Sequence, residues 1–117
     1  MRRLEKAKRV RIYLEENDRV RHRPAHLAIV ELLRARRAAG ASVFRGLEGF
    51  GSSGVVHTVN LGDLVEKLPL VIEWIDAPER IEGLLAEIER LVPGALVTID
   101  DTEVAWRDGG PGWRGPA

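Results

Sequence analysis

Four glycines, Gly46, Gly49, Gly51 and Gly54, crowd the stretch that runs from Arg45 past Phe50 to His57 and Thr58. Glycine weakens a strand interior. A cluster of it at the end of an apolar run therefore marks a bulge, a turn at positive φ or a close backbone approach. Backbone without side chains also leaves N–H groups able to face an anion such as a phosphate. Arg45 directly precedes the first glycine, and a guanidinium can grip a phosphate through two parallel hydrogen bonds. Arg11 is a second residue of that kind, and His57 could donate to a ligand or respond to pH. Each has a plainer reading beside the functional one: a turn that shapes the loop, solvated strand charges, a histidine in a loop or subunit contact.

Other constellations offer less chemistry. His22 and His26 straddle a turn into a helix with no convergent carboxylate, so no metal site is expected from them and His57. Asp101 and Glu103 share one face of a strand beside Asp100. Paired carboxylates can do acid–base work, but an exposed strand end explains these more simply. The chain has no cysteine, which excludes disulfides, thiolate metal ligands and cysteine nucleophiles and fits a cytoplasmic protein. No nucleophile, general base and metal set assembles, so an enzyme is not expected.

The elements that must position the glycine stretch follow from periodicity. At 117 residues, 44% hydrophobic and 31% charged, the composition suits one globular domain with a small core. Lysine plus arginine and aspartate plus glutamate number 18 each, which gives no push toward nucleic acid or membrane. No run approaches the ~20 apolar residues a membrane helix needs. A strand starts near Lys8, with Val10, Ile12 and Leu14 on one face and Arg9, Arg11 and Tyr13 on the other. Pro24 opens a helix as its first residue, Ala25, Ala28, Ile29, Leu32 and Ala39 recur at helical spacing, and Gly40 stops it. A second strand over residues 42–47 enters the loop, which lasts to about Lys67, and a third strand spans residues 68–75.

Asp76 and Glu79 then read as a capping box around Pro78, opening a helix that repeats Ile81, Leu84, Leu85, Ile88, Leu91 and Val92. Pro93 and Gly94 end it, and a fourth strand spans residues 95–106. The order β-α-β-β-α-β predicts an α+β, ferredoxin-like sandwich: a four-stranded antiparallel sheet with two helices on one face. Residues 1–107 form that domain, and the Gly- and Pro-rich residues 108–117 read as a disordered tail. The uncovered sheet face must carry Phe44, Val71 and Ile75, or their neighbours Val43, Leu70 and Ile72. A large apolar face finds a partner, which predicts a homo-oligomer.

An RNA recognition motif shares this order, and residues 48–51 echo its signature. Glu48 reverses the charge, however, Ser52 and Ser53 stand where stacking rings belong, and the segment follows strand two rather than lying in strand three. Nucleic-acid binding is not expected.

Several pieces taken together resemble a known family. They are residues 6–14 at the first strand, Arg23-Pro24 with residues 28–31, residues 40–51, His57-Thr58, Leu68-Pro69, and residues 97–104. Over residues 4 to about 106 the chain is similar to the PII-like superfamily of small trimeric signalling proteins, and most to its uncharacterised branch, domain of unknown function 190. The resemblance implies a ferredoxin-like homotrimer whose sheets meet around the three-fold axis. It also implies an adenine nucleotide (ADP, AMP or ATP) in clefts between subunits, and a loop after strand two that moves on binding and engages a partner, a transporter or an enzyme.

Gly49, Phe50 and Gly51 match the glycine-phenylalanine-glycine of that cleft, with Glu73 and Ile75 as weaker candidates. The ligand set so implied is Arg45, Gly46, Gly49, Phe50, Gly51, His57, Thr58 and Glu73. The chain departs from true PII proteins in three places. Ser52-Ser53 replaces an arginine-glutamine pair. Only Pro93-Gly94 stands where a glycine- and lysine-rich phosphate loop would be. Of two arginines near the end of strand four, Arg107 alone could serve. The alternative implied is a non-catalytic trimeric scaffold or metal-binding protein similar to the copper-tolerance relatives.

Overall fold

The computed structural model describes residues 2–51, 53–58 and 67–107. The predicted tail, and residues 52 and 59–66 of the loop after the second long strand, lie outside them. The elements in chain order are β1 (Arg2–Glu15), β2 (Arg19–Val20), β3 (Arg23–Pro24), α1 (Ala25–Ala35), β4 (Ser42–Arg45), β5 (Glu48–Gly49), β6 (His57–Thr58), β7 (Pro69–Asp76), α2 (Pro78–Leu91) and β8 (Leu96–Arg107). Strands β4, β7, β1 and β8 lie in that order in one antiparallel sheet. The predicted sandwich is therefore the observed one, with two short hairpins, β2–β3 and β5–β6, that the periodicity did not show.

Alternation along the two central strands builds the core. Val10, Ile12 and Leu14 of β1 and Leu70, Ile72 and Trp74 of β7 face the helices, where they pack with Ile29 and Leu33 of α1 and Ile81, Leu84, Leu85 and Ile88 of α2. Opposite residues share a face. The other face therefore carries the row Phe44, Val71, Tyr13, Leu96 straight across all four strands. The next row is Ser42, Glu73, Arg11, Thr98, in which Arg11 Nε meets Glu73 Oε1 at 2.8 Å. Phe44 and Leu96 stay more than half exposed, and no described element covers them.

Several element boundaries and caps differ from the sequence reading. β1 starts at Arg2, well before Lys8, because residues 2–7 pair with the far half of β8, from Arg2 opposite Arg107 to Ala7 opposite Thr102. Cross-strand charge supports the long ladder: Lys6 lies opposite Glu103, Lys8 Nζ meets Asp101 at 2.6 Å and Arg9 Nη2 meets Asp100 at 2.6 Å. The Arg9 guanidinium, through its hydrogen bond, holds the Asp100 carboxyl below the usual range. These carboxylates are ladder partners.

The first helix is shorter at both ends than expected. Pro24 is its N-cap rather than its first residue, and it ends at Ala35 instead of running to Gly40. Arg37 sits at φ 59°, Ala38 N–H donates to Leu33 C=O and Arg37 N–H to Arg34 C=O. That is a Schellman ending with arginine in the left-handed position usually given to glycine. The capping box on α2 does not form either. Ala77 is the N-cap, and no side chain caps the helix. Asp76, still on β7, accepts the Ala77 N–H at 2.8 Å and faces Arg80 Nε at 3.3 Å.

A two-pronged pair ties the helices together: Arg36 Nε and Nη2 donate to the Glu87 carboxylate at 3.0 and 2.8 Å. The hydrogen bond from Arg36 holds the Glu87 carboxyl below its usual range. A carboxyl lowered on folding stabilises the protein above its unfolded pKa and loses that contribution as pH falls through the folded one. Glu87→Gln is therefore expected to melt lower than the parent at pH 7. The gap should close as pH drops below the ordinary carboxylate range, as melting curves between pH 3 and 7 would show.

Candidate functional site

The loop base is shaped by one proline. Gly46 N–H donates to the Pro69 carbonyl at 2.8 Å, so the chain leaving β4 lies directly against the start of β7. A Cβ on Gly46 would sit 2.7 Å from Pro69 Cγ, and one on Gly49 3.2 Å from the same atom. These two glycines are there for close approach. Gly51 has ordinary room, its nearest neighbour being Glu15 Oε1 at 3.8 Å from such a Cβ. Gly54 closes the turn at φ +74°, its N–H donating to Gly51 C=O. β5 then pairs with β6, Glu48 opposite Thr58 and Gly49 opposite His57.

This hairpin presents Gly49, Phe50 and Gly51 to a cleft of about 800 Å³ at the end of the sheet. The far wall is the α2–β8 connection, from Leu91 to Leu96, without a charged side chain. Glu15, Asp18, Arg19 and Lys67 are the charged side chains among its described lining residues. Phe50 is 72% exposed, an aromatic ring displayed at the mouth. The volume falls within the ~300–1,000 Å³ of small-molecule sites.

The predicted residues do not all gather there. Arg45 turns to Glu16, Nη1 to Oε2 at 2.9 Å, and does not line the cleft. Gly46 sits under Pro69. His57 joins through its backbone pairing with Gly49, and Thr58 is half-buried opposite Glu48. Glu73 lies on the open sheet face with Arg11, beside a shallower depression of about 330 Å³ that it shares with residues 39–42. Arg19 and Lys67 are the cations that line the cleft among the described residues, and sequence reasoning missed both. Their membership depends on which loops the sheet brings to one end. Among the described residues no group of three His, Asp or Glu side chains could hold a metal ion.

Comparison with known proteins agrees with this architecture. The model of the family DUF190, described as Uncharacterized ACR, matches residues 7–104. A UPF0166 protein of Aquifex aeolicus is 34% identical over 104 residues, 89% of this chain and 98% of that protein. A UPF0166 protein of Methanocaldococcus jannaschii is 31% identical over 100 residues, 85% and 92% of the two chains. Among solved structures, CPII of Thiomonas intermedia K12, a nitrogen regulatory PII-like protein bound to ADP, AMP and bicarbonate, superposes with a TM-score of 0.66 at 22% identity. The match covers 87% of this chain and 91% of that one. The divalent ion tolerance protein CutA1 of Ehrlichia chaffeensis gives 0.57 at 10% identity, covering 82% and 80%. The chain therefore belongs to the DUF190 family, and its fold is similar to that of PII-like proteins.

Proposed function

We propose that this protein is a non-enzymatic, PII-like regulator that binds an adenine nucleotide (ADP, AMP or ATP) in the cleft beside Gly49, Phe50 and Gly51. The cleft itself carries the reading. It joins the glycine-phenylalanine-glycine segment, an exposed aromatic ring and an uncharged wall in one space of suitable size. An aromatic face can stack a purine, and the wall from Leu91 to Leu96 can cover its other side. The binding of ADP and AMP by CPII, a protein of similar fold, supports the same class of ligand.

In this reading the apolar row Phe44, Val71, Tyr13, Leu96 is buried between copies in a homotrimer, which makes the cleft an intersubunit one. Arg45, Gly46, His57 and Thr58 hold the loop base, and Glu73 enters such a site only from a neighbouring copy. Ligand binding orders the loop after β5, which then engages a cytoplasmic partner, a transporter or an enzyme. Such a switch requires the nucleotide to favour one loop state over the other.

The test is isothermal titration of the purified protein with ATP, ADP, AMP and cyclic AMP, with and without magnesium. Saturable binding near one site per chain is expected. Phe50→Ala should weaken it about tenfold or more, since base–aromatic stacking is worth ~1–3 kcal/mol. The same variant should melt within about 0.5 kcal/mol of the parent, as exposed positions do. Silence with every nucleotide, from a protein that responds to divalent ions, would instead favour the metal-binding reading.

A further inference from the structure

An anionic ligand in this cleft needs cations, and the far wall, being apolar, supplies none. Residues 91–96 carry no charge at all. The cleft has two cations, Arg19 and Lys67, both exposed and neither paired with a carboxylate among the described residues. Arg45 and Arg23 are held elsewhere, by Glu16 and Glu31. An unpaired arginine and lysine facing one cavity are the natural seat of a phosphate, the guanidinium by its planar fork and the ammonium as a point charge.

The backbone fixes where Arg19 stands. It opens the β2–β3 hairpin, opposite Pro24, and the hairpin is tied down by the bond from Ala25 N–H to Asp18 C=O at 2.8 Å. Its two-residue turn, Arg21 and His22, has φ of 50° and 76°, the signature of a type I′ turn normally given to asparagine and glycine. Asp18 also lines the cleft; its Oδ2 accepts the Glu15 N–H at 2.9 Å, and among the described residues it makes no ion pair with Arg19. Glu15 Oε1 lies toward Gly51, so the glycine end of the cleft is acidic on one side and repels phosphate.

We infer that Arg19 and Lys67 form an anion subsite of the cleft that holds the phosphates of a nucleotide, with the base directed to Phe50 and the apolar wall. The inference rests on the proposed nucleotide-binding function but can fail separately from it.

Titrations of the parent, Arg19→Gln, Lys67→Gln and the double variant with adenosine, AMP, ADP and inorganic pyrophosphate test it. Both substitutions are at exposed positions, and circular dichroism should show an unchanged fold. Each single variant is expected to weaken ADP about tenfold, AMP less, and adenosine not at all. The double variant should lose pyrophosphate, and parental ADP affinity should fall with added salt. Variants that bind ADP like the parent would overturn the subsite and leave the nucleotide reading standing. Pyrophosphate binding by the parent, lost in the double variant, with no binding of ADP or adenosine, would keep the subsite and overturn the nucleotide reading. Binding of neither by the parent would overturn both.

Discussion

Replacing Trp74 by alanine is expected to remove most of the protein's stability. Trp74 is the largest fully buried side chain, 1% exposed, and it stands on one of the two central strands among the apolar residues of both helices. Truncating a buried tryptophan costs ~3–5 kcal/mol, partly in lost contacts and partly in the cavity left behind. Against a total of about 5–15 kcal/mol for an ordinary domain, that loss leaves little margin.

Trp74→Phe should behave differently. The Trp74 Nε1–H is buried without a hydrogen-bond partner among the described residues, and a buried unpaired donor is itself a cost of ~1–3 kcal/mol. Phenylalanine keeps most of the volume and discards the donor, so its loss should stay below about 1.5 kcal/mol. Urea unfolding of the two variants measures both numbers. Equal losses would mean that the phenyl ring recovers none of the packing lost with the indole.

Gly46→Ala is the second large effect. Its Cβ would come within 2.7 Å of Pro69 Cγ, far inside normal contact. The proline ring cannot swing aside, being closed on a backbone that accepts the Gly46 N–H and opens β7. Overpacking of this kind costs ~1–3 kcal/mol. The strain has one outlet, displacement of the loop base from the sheet, which carries Gly49, Phe50 and Gly51 out of position. Gly46→Ala is thus expected to lower the melting temperature and to abolish the proposed nucleotide binding together. Adding Pro69→Ala should recover much of the stability, a coupling a double-mutant cycle reads directly. Gly51→Ala, with 3.8 Å to its nearest neighbour, should leave stability untouched. If Gly46→Ala melts like the parent, the contact with Pro69 does not constrain the loop.

The long elements were legible because each buries one face. Val10, Ile12 and Leu14 alternate, Ile81, Leu84, Leu85 and Ile88 recur at three and four, and all of them are core. What stayed hidden has physical causes. β2, β3, β5 and β6 have two residues each, too few for any period. The turn at Arg21 and His22 and the helix end at Arg37 take positive φ with residues that disfavour it, so glycine-based reasoning looked to Gly40 instead. Pairing with β8 holds residues 2–7 in strand form where their own pattern does not.

The candidate site was half legible. Glycine spacing marks the loop in the sequence, and Gly49, Phe50 and Gly51 do line the cleft. Arg45 looked like a ligand residue because it adjoins the glycines, but Glu16, far from it in sequence, occupies its guanidinium. Arg19 and Lys67 carry no motif. They become neighbours of the glycines only when the ends of β1, β7 and β8 meet.

β1, at the centre of the sheet, has β7 and β8 for neighbours, so the first strand off the ribosome waits for the last two. At ~5–20 residues per second, the interval between completing Glu15 and completing Asp76, the end of its partner β7, is about 3–12 s. Through that time a strand with Val10, Ile12 and Leu14 along one side has no ladder partner in its own chain. The alternate residues Arg9 and Arg11, with Lys8 beside them, give the waiting strand a positive edge. Like-charged nascent chains on one messenger therefore repel at the segment where they would otherwise join. The same cations find Asp100, Asp101 and Glu73 once synthesis is finished, so the charges that keep the unfinished chain apart become the ones that zip the finished sheet.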